Sequence, residues 1–253
     1  MTATRETSGD VAVLAIHPLG HSGAFFEPMI NFLPPDIRLH APDLPGHGVL
    51  SAQPPRSFED FVTAAERALR QIRETRVHLL GHSLGGAVAA ALMDRLSAHR
   101  VVSVTLVATP FAGVPAFADR AVAVSQGGMQ SVLEQTLDRW LGTDRGGENE
   151  LIARAALLRM QPEGYDAVWR AFAEFAGFDR LRAVFPPSLV IGFGDDVSTP
   201  VSIQDAIAEA LGQRGARVCR LDIPGAAHMG MLQRPKPVLN AFLDHVRFVT
   251  PCK

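Results

Sequence analysis

The sequence has few cysteines and no long hydrophobic run. Its 253 residues include two cysteines, Cys219 and Cys252, too few for a disulfide framework or a cysteine-rich metal site. The most apolar stretch, residues 84–93, is far shorter than the roughly 18–20 residues of a membrane-spanning helix. Residues 1–10 are polar and lack the apolar segment of a secretory signal. These features predict a soluble, cytoplasmic protein.

Neither sign of charge dominates the chain. Lysine and arginine number 24 against 26 aspartates and glutamates, a formal charge of −2. Binding to nucleic acid through its phosphates needs a clustered positive field, which this balance does not favour. The hydrophobic fraction of 47% is ordinary for a globular protein, and the length suits one large domain or a core with an insertion. A small molecule is the expected partner, not nucleic acid or a membrane, and the oligomeric state stays open.

Short apolar segments alternate with helical patterns along much of the chain. Nearly continuous apolar runs are typical of strands buried on both faces of a parallel sheet. They occupy Val11–Ile16, Val77–Leu80, Val101–Ala108 and Ser188–Ile191. Ile37–Ala41 and Arg217–Ile223 alternate polar and apolar residues, which favours strands near an edge. Helical patterns between them predict an α/β fold, a three-layer sandwich with a mostly parallel sheet.

Three helices can be placed from these patterns. An apolar stripe runs from Phe58 to Ile72, and Ser57 is a suitable N-cap for it. An Ala-rich helix is predicted over Leu84–Leu96 and a final one over Pro237–Val249.

Strand patterns are missing from residues 111–183. About four short helices fit there, separated by glycines and one proline. Their many apolar residues predict a helical cap over the C-terminal ends of the strands, where open α/β sheets bind ligands. The alternative is a helical extension of the core. The expected division is therefore a core of residues 1–110 and 184–253 with a cap of residues 111–183.

The segment Gly81-His82-Ser83-Leu84-Gly85-Gly86 lies between a predicted strand and a predicted helix. This is a G-x-S-x-G pattern in the strand–turn–helix setting of a nucleophilic serine. A sharp turn exposes the serine oxygen, and the glycines avoid collisions with neighbouring backbone. A dinucleotide-binding loop is disfavoured because Ser83 replaces a glycine that must approach pyrophosphate. Ser83 is therefore the predicted nucleophile.

A serine nucleophile requires a base and an acid that orients the base. His228 follows the last predicted strand, so it lies at the same sheet edge as Ser83 and is the predicted base. The adjacent carboxylates Asp195 and Asp196 follow the strand at Ser188–Ile191, and both are candidates for the acid. The spacing of His17 and His21 does not indicate a metal site, because Pro18 and Gly20 prevent a helix from presenting both.

The order Ser83, aspartate, His228, together with Asp43-Leu44-Pro45-Gly46-His47-Gly48, resembles the α/β-hydrolase superfamily over nearly the whole chain. Enol-lactonases, cofactor-free haloperoxidases and small carboxylesterases are the members that it resembles. In such proteins the acid typically stands four residues before a proline, which favours Asp196 because of Pro200. Counting three residues from Gly192 would instead select Asp195.

The resemblance also implies an oxyanion hole formed by the backbone amides of Leu19 and Leu84. Pro18 stands where the family usually has glycine. Because the donor is the amide of the next residue, the proline leaves the hole possible.

These residues together predict a serine hydrolase that acts on an ester, lactone or related carbonyl bond of a small, largely apolar substrate. No metal or organic cofactor is expected. The alternatives are a C–C bond hydrolase, a lyase or a cofactor-free oxygenase on the same fold, or a ligand receptor with a slow triad. Candidate substrate contacts are Phe25, His82, Phe111, Trp140 and Met229.

Overall fold

A computed structural model describes residues 11–96 and 100–249, so Cys252 and the polar residues 1–10 lie outside the described part. Six strands form one sheet. They are β1 (Val11–Ile16), β2 (Ile37–His40), β3 (Arg76–His82), β4 (Val101–Val107), β5 (Ser188–Phe193) and β6 (Val218–Ile223). Each predicted strand is present, with bounds shifted by at most two residues.

The sheet has the order β2-β1-β3-β4-β5-β6, and every neighbouring pair is parallel. The two strands with alternating polarity, β2 and β6, lie at the edges, as predicted. All residues of β1 and β5 are buried, which requires cover on both faces of the sheet. Since the strands are parallel, their C-terminal ends meet at one edge, and the chain segments that follow them are brought together there.

Helices cover the sheet. They are α1 (Glu27–Ile30), α2 (Phe58–Gln71), α3 (Leu84–Met93), α4 (Ala116–Leu141), α5 (Glu148–Leu158), α6 (Pro162–Ala173), α7 (Val201–Gln213), α8 (Gly230–Gln233) and α9 (Pro235–Val249). Helix α3 packs on β1, β3 and β4, whereas α9 packs on β4 and β5. The α/β architecture with a parallel sheet flanked by helices is thus confirmed.

The start of α2 differs from the expectation. Ser57 is the N-cap residue, but its side chain makes no capping hydrogen bond. The Phe58 N–H instead donates to the carboxylate of Glu174, just beyond α6, at 3.1 Å. A carboxylate at a helix N-terminus satisfies a free donor and complements the helix dipole. Glu174 therefore ties the segment after α6 to the core.

The stretch between β4 and β5 is helical in the described structure, with α4 packed against both α5 and α6. Helix α4 is longer than expected, because it continues through the Gly127-Gly128 pair that predicted a break. Gly128 has φ 65° and ψ −173°, so the helix is kinked there into two segments. Glycine tolerates this conformation without the steric cost that other residues would meet.

Among the described residues, no helix is both long and apolar enough to cross a lipid bilayer. The cytoplasmic location drawn from the sequence stays a prediction.

Candidate active site

Ser83 occupies the sharp turn between β3 and α3. Its backbone has φ 53° and ψ −117°, a region that residues with a side chain rarely adopt. Such a conformation costs on the order of 1–3 kcal/mol and persists only where surrounding contacts hold it. One such contact is the hydrogen bond from the Ser83 N–H to the carbonyl of Val107 on β4, at 2.8 Å. The turn directs the serine toward the sheet edge where the strands end.

Three glycines allow this turn to pack. A Cβ atom added to Gly81 would lie 2.3 Å from the carbonyl oxygen of Gly85, and one on Gly85 would lie 1.9 Å from that of Ile16. A Cβ on Gly86 would lie 1.9 Å from the Thr109 hydroxyl oxygen. These distances are far below van der Waals contact. The turn is therefore in direct contact with the end of β1 and with the segment after β4, at points where a side chain does not fit.

Ser83, His228 and Asp196 form a continuous series of hydrogen bonds. The Ser83 Oγ atom lies 2.9 Å from His228 Nε2, and His228 Nδ1 lies 2.8 Å from Asp196 Oδ2. All three residues are buried. Because the carboxylate accepts the Nδ1–H, His228 Nε2 is left as the acceptor for the serine hydroxyl. This arrangement is suited to moving a proton from serine to imidazole.

Asp196 is held firmly by the loop that follows β5. Its Oδ1 atom accepts hydrogen bonds from the N–H groups of Ser198 and Thr199, at 2.7 and 3.0 Å, and Oδ2 accepts one from the Thr199 hydroxyl at 2.6 Å. Burial raises the pKa of Asp196, but the charge of His228 and the hydrogen bonds outweigh burial and lower that pKa to about 2. Asp195 is exposed to solvent. Of the two adjacent carboxylates, only Asp196 contacts the histidine.

The two candidate oxyanion donors lie beside Ser83. Leu84 opens α3, where the first N–H groups have no partners within the helix. Leu19 lines the same pocket as Ser83 and His228. The Leu19 loop is fixed by His17, whose Nε2 accepts the Leu44 N–H at 3.0 Å while its Nδ1 donates to the Pro18 carbonyl at 2.9 Å. Burial lowers the pKa of His17, which is consistent with a neutral ring that accepts at one nitrogen.

A pocket opens over Ser83 between the sheet edge and helices α4 and α6. Besides Leu19, Ser83 and His228, it is lined by Pro110, Phe117, Arg120, Trp140, Trp169, Phe172, Ser198, Thr199 and Met229. Two of the five predicted substrate contacts, Trp140 and Met229, are therefore in this lining.

The other three predicted contacts lie elsewhere. Phe25 lines a separate cleft of about 880 Å³ beside α5. Phe111 packs against the ring of Phe178, with ring centroids 5.8 Å apart. His82 is buried behind the pocket, where its Nε2–H donates to the carbonyl of His228 at 2.8 Å. Burial lowers the pKa of His82 to about 3, so it is neutral at physiological pH and supports the backbone of His228.

Several lining residues were not among the five predicted substrate contacts. Phe117, Arg120, Trp169 and Phe172 come from α4 and α6, and their place depends on how these helices pack. The loop that carries Thr199 had a local signal, because an aspartate side chain in a turn often hydrogen-bonds to the backbone two residues on, as Asp196 does to Ser198. Among residues 11–96 and 100–249, no group of three or more histidine, cysteine, aspartate or glutamate side chains is placed to hold a metal ion.

The parallel sheet, the strained serine turn and the Ser–His–Asp hydrogen bonds define an α/β protein with a nucleophile elbow. Residues 13–241 match the family model described as "Alpha/beta hydrolase family". The chain belongs to this family.

Named relatives agree with that placement. A pimeloyl-[acyl-carrier protein] methyl ester esterase from Yersinia enterocolitica is 23% identical over 256 residues, covering 93% of each chain. A solved esterase from Thermogutta terrifontis has a TM-score of 0.82 and 23% identity, covering 98% of this chain and 93% of that one. An enol-lactonase from Burkholderia xenovorans has a TM-score of 0.81 and 22% identity, with coverage of 97% and 96%.

Other curated relatives match over shorter stretches. Three of them are 34%, 34% and 36% identical, and the alignments span only 30%, 37% and 36% of their own lengths. The chain thus matches about a third of these proteins. The two solved structures, at 23% and 22% identity, show that this chain has the same fold as they do.

The close contact between the elbow and β1 predicts a large effect of Gly85→Ala. The added methyl group meets a backbone oxygen that cannot rotate away, so we expect the free energy of unfolding to fall by about 2–3 kcal/mol. Gly212→Ala in α7 is the matched control, because nothing lies within 4 Å of its added Cβ. Urea denaturation should leave the control at least as stable as the parent. Equal stability of the two variants would contradict the packing described.

The buried histidines predict a loss of stability in mild acid. Burial lowers the pKa of His21 and of His82 to about 3, against 6.5 in the unfolded chain. Between these values the unfolded state binds more protons, so the free energy of unfolding falls as pH drops, by up to about 1.4 kcal/mol per pH unit and histidine. Denaturation midpoints should therefore decrease steadily below pH 6.5.

Replacement of one such histidine tests the origin of this pH dependence. His21 packs against the rings of Phe25 and Trp140, so phenylalanine suits its site. His21→Phe should flatten the stability curve between about pH 4 and 5.5 by about 1.4 kcal/mol per unit. A parent protein equally stable at pH 7 and 4.5, or a variant curve parallel to the parent's, would contradict this account.

Proposed function

We propose that this protein is a serine hydrolase that cleaves an ester, lactone or related carbonyl bond through an acyl-enzyme. The observation that carries the proposal is the hydrogen-bond series from Ser83 Oγ through His228 to Asp196, with distances of 2.9 and 2.8 Å. The family match and the full-length similarity to a methyl ester esterase support it. Ser83 is the nucleophile, His228 the base and Asp196 the orienting acid.

In the first half of the reaction, His228 Nε2 accepts the Ser83 proton as Oγ attacks the carbonyl carbon. The developing oxyanion accepts hydrogen bonds from the N–H groups of Leu19 and Leu84. The carbon–oxygen bond to the leaving group then breaks, and His228 donates its proton to the departing alkoxide. Asp196 stays ionised and stabilises the imidazolium, which its low pKa allows.

In the second half, a water molecule gives a proton to His228 and its oxygen attacks the acyl carbon. Collapse of the second tetrahedral intermediate returns the proton to Ser83 Oγ and releases the carboxylic acid. Because both transition states carry charge beside apolar walls, the fixed amides and the buried carboxylate act in a medium of low dielectric constant. The residues named complete this cycle without a metal or an organic cofactor.

The helices of residues 111–183 act as a cap in this proposal. Phe117 and Trp140 of α4 and Trp169 and Phe172 of α6 form an apolar wall over Ser83. The pocket that they form with the core opens to solvent and has a volume of about 40 Å³. These helices therefore supply most of the apolar surface of the proposed substrate pocket.

The first test is covalent labelling of the serine. A small fluorophosphonate should add one equivalent to the parent protein, detected by intact mass, because His228 activates Ser83. Ser83→Ala should show no adduct and lose about 10⁵–10⁶-fold in turnover of a reactive ester. Ser125→Ala is the matched control, since Ser125 is exposed on α4 and bonds only to its own helix.

The control variant should label like the parent protein. Labelling of Ser83→Ala at the parent rate would refute Ser83 as the nucleophile. A labelled protein that hydrolyses no ester or lactone would indicate a C–C hydrolase, lyase, cofactor-free oxygenase or receptor, which product analysis and ligand-binding assays separate.

The adjacent carboxylates allow a second test. Asp196→Asn removes the acceptor that holds His228 Nδ1–H, so we expect kcat/KM to fall by about 10⁴-fold. Asp195→Asn changes an exposed side chain one residue away and should keep kcat/KM within about 3-fold of the parent value. Steady-state kinetics on one ester measure both. The reverse order of effects would identify Asp195 as the acid.

A further inference from the structure

Arg120 places a positive charge in the wall of the pocket over Ser83. It lies on α4 and lines this pocket together with Ser83 and His228. The lining contains no acidic residue. Its guanidinium carbon lies 4.5 Å from the centre of the Trp169 ring and 5.6 Å from that of Phe117. The aromatic faces hold the guanidinium by cation–π contact and leave its edge free to donate hydrogen bonds.

This charge has no counter-ion in the described structure. Within residues 11–96 and 100–249, no carboxylate lies within ion-pair distance of Arg120, and its guanidinium donates no hydrogen bond. Burial, followed by the charge of Arg139, lowers the pKa of Arg120 to about 10, so it is still charged at neutral pH. Arg120 is partly buried, and partial desolvation of a charge without a partner carries a cost that a bound anion would offset.

Three other arginines of the same helical region are paired with carboxylates, whereas Arg139 hydrogen-bonds to the Thr136 hydroxyl. Arg145 and Arg154 each contact both Glu134 and Glu150, and Arg170 hydrogen-bonds to Asp166 on the surface of α6. The region thus has carboxylates available for its arginines, yet the arginine that faces Ser83 has none. A missing partner at this position points to a ligand that supplies the negative charge.

Two further donors are unpaired beside Arg120. The Tyr165 hydroxyl and the Trp169 ring N–H are buried, and neither has a hydrogen-bond partner among the described residues. The Tyr165 and Trp169 rings are 6.1 Å apart, and Trp169 lies directly under the Arg120 guanidinium. Tyr165 is also close enough to affect the pKa of Arg120. Buried donors without acceptors are rare in folded proteins.

We infer that Arg120 binds a carboxylate of the substrate, so that the preferred substrates are monoesters of dicarboxylic acids or lactones that bear a free carboxylate. The inference rests on the proposed hydrolase function. A carboxylate matches the single charge and the planar fork of one guanidinium, with which it forms two parallel hydrogen bonds. Phe117, Trp140 and Phe172 then surround the apolar carbon chain between the carboxylate and the scissile carbonyl.

A matched pair of esters tests the inference. Monoethyl adipate and ethyl hexanoate have the same six-carbon acyl chain, and a carboxylate replaces the terminal methyl group in the first. The measured quantity is the ratio of their kcat/KM values with the full chain, which should be at least about 10 in favour of adipate. Arg120→Met should lower the ratio about 10- to 100-fold, the loss expected for a charge-assisted hydrogen bond.

Two variants separate this role from a structural one. Arg120→Lys keeps the charge without the planar fork, so it should restore part of the preference, seen mainly as a lower KM for monoethyl adipate. Arg170→Met removes a surface arginine from the helix that carries Trp169 and should leave the ratio at the parent value. A parent enzyme without preference for monoethyl adipate, or an unchanged ratio in Arg120→Met, would overturn the inference.

Binding to the Ser83→Ala variant distinguishes failure of the inference from failure of the proposed function. Calorimetry should show that this variant binds monoethyl adipate more tightly than ethyl hexanoate, and that adding Arg120→Met removes the difference. Absence of both hydrolysis and the fluorophosphonate adduct in the parent would refute the hydrolase. Binding that depends on Arg120 would still support the carboxylate site in that case, whereas binding independent of Arg120 would overturn it.

Discussion

The close approach of the serine turn to its neighbours is the constraint on which the site depends. Ser83 is held at φ 53° by close packing around the turn. Gly81, Gly85 and Gly86 allow this packing, because a side chain at any of them would collide with backbone of β1 or α3 or with the Thr109 side chain. The same contacts fix the start of α3, and therefore the direction of the Leu84 N–H. Geometry at one turn thus sets the positions of both the Ser83 hydroxyl and the Leu84 N–H.

Several buried histidines lie in this part of the protein, and burial lowers their pKa values. His17, His21, His47 and His82 have lowered pKa values because they are buried among apolar groups and one another. A neutral imidazole ring donates a hydrogen bond at one nitrogen and accepts one at the other. His17 accepts the Leu44 N–H, which fixes the Leu19 loop, and His82 donates to the carbonyl of His228, which fixes the backbone there. The Nδ1–H of His228 donates to the carboxylate of Asp196 instead.

The parts of the protein that follow local patterns could be predicted from the sequence. Strand positions, edge strands and the serine turn depend on periodicity and on glycines adjacent in sequence. The lining of the pocket over Ser83 was less predictable: Phe25 and His82 flank motifs in sequence, but neither is part of that lining. Arg120 and Trp169 reach the pocket because α4 and α6 pack together, which single-helix patterns do not determine.

The distribution of the candidate site along the chain links its assembly to folding. Ser83 and His228 are 145 residues apart in sequence, and Asp196 is 32 residues from His228. Contacts of such long range form late, because each must first overcome the entropy of closing a large loop. The hydrogen-bond series therefore exists only once β6 has joined the sheet. A ribosome must release nearly the whole chain before Ser83, His228 and Asp196 can come together, so during synthesis Ser83 has no histidine beside it.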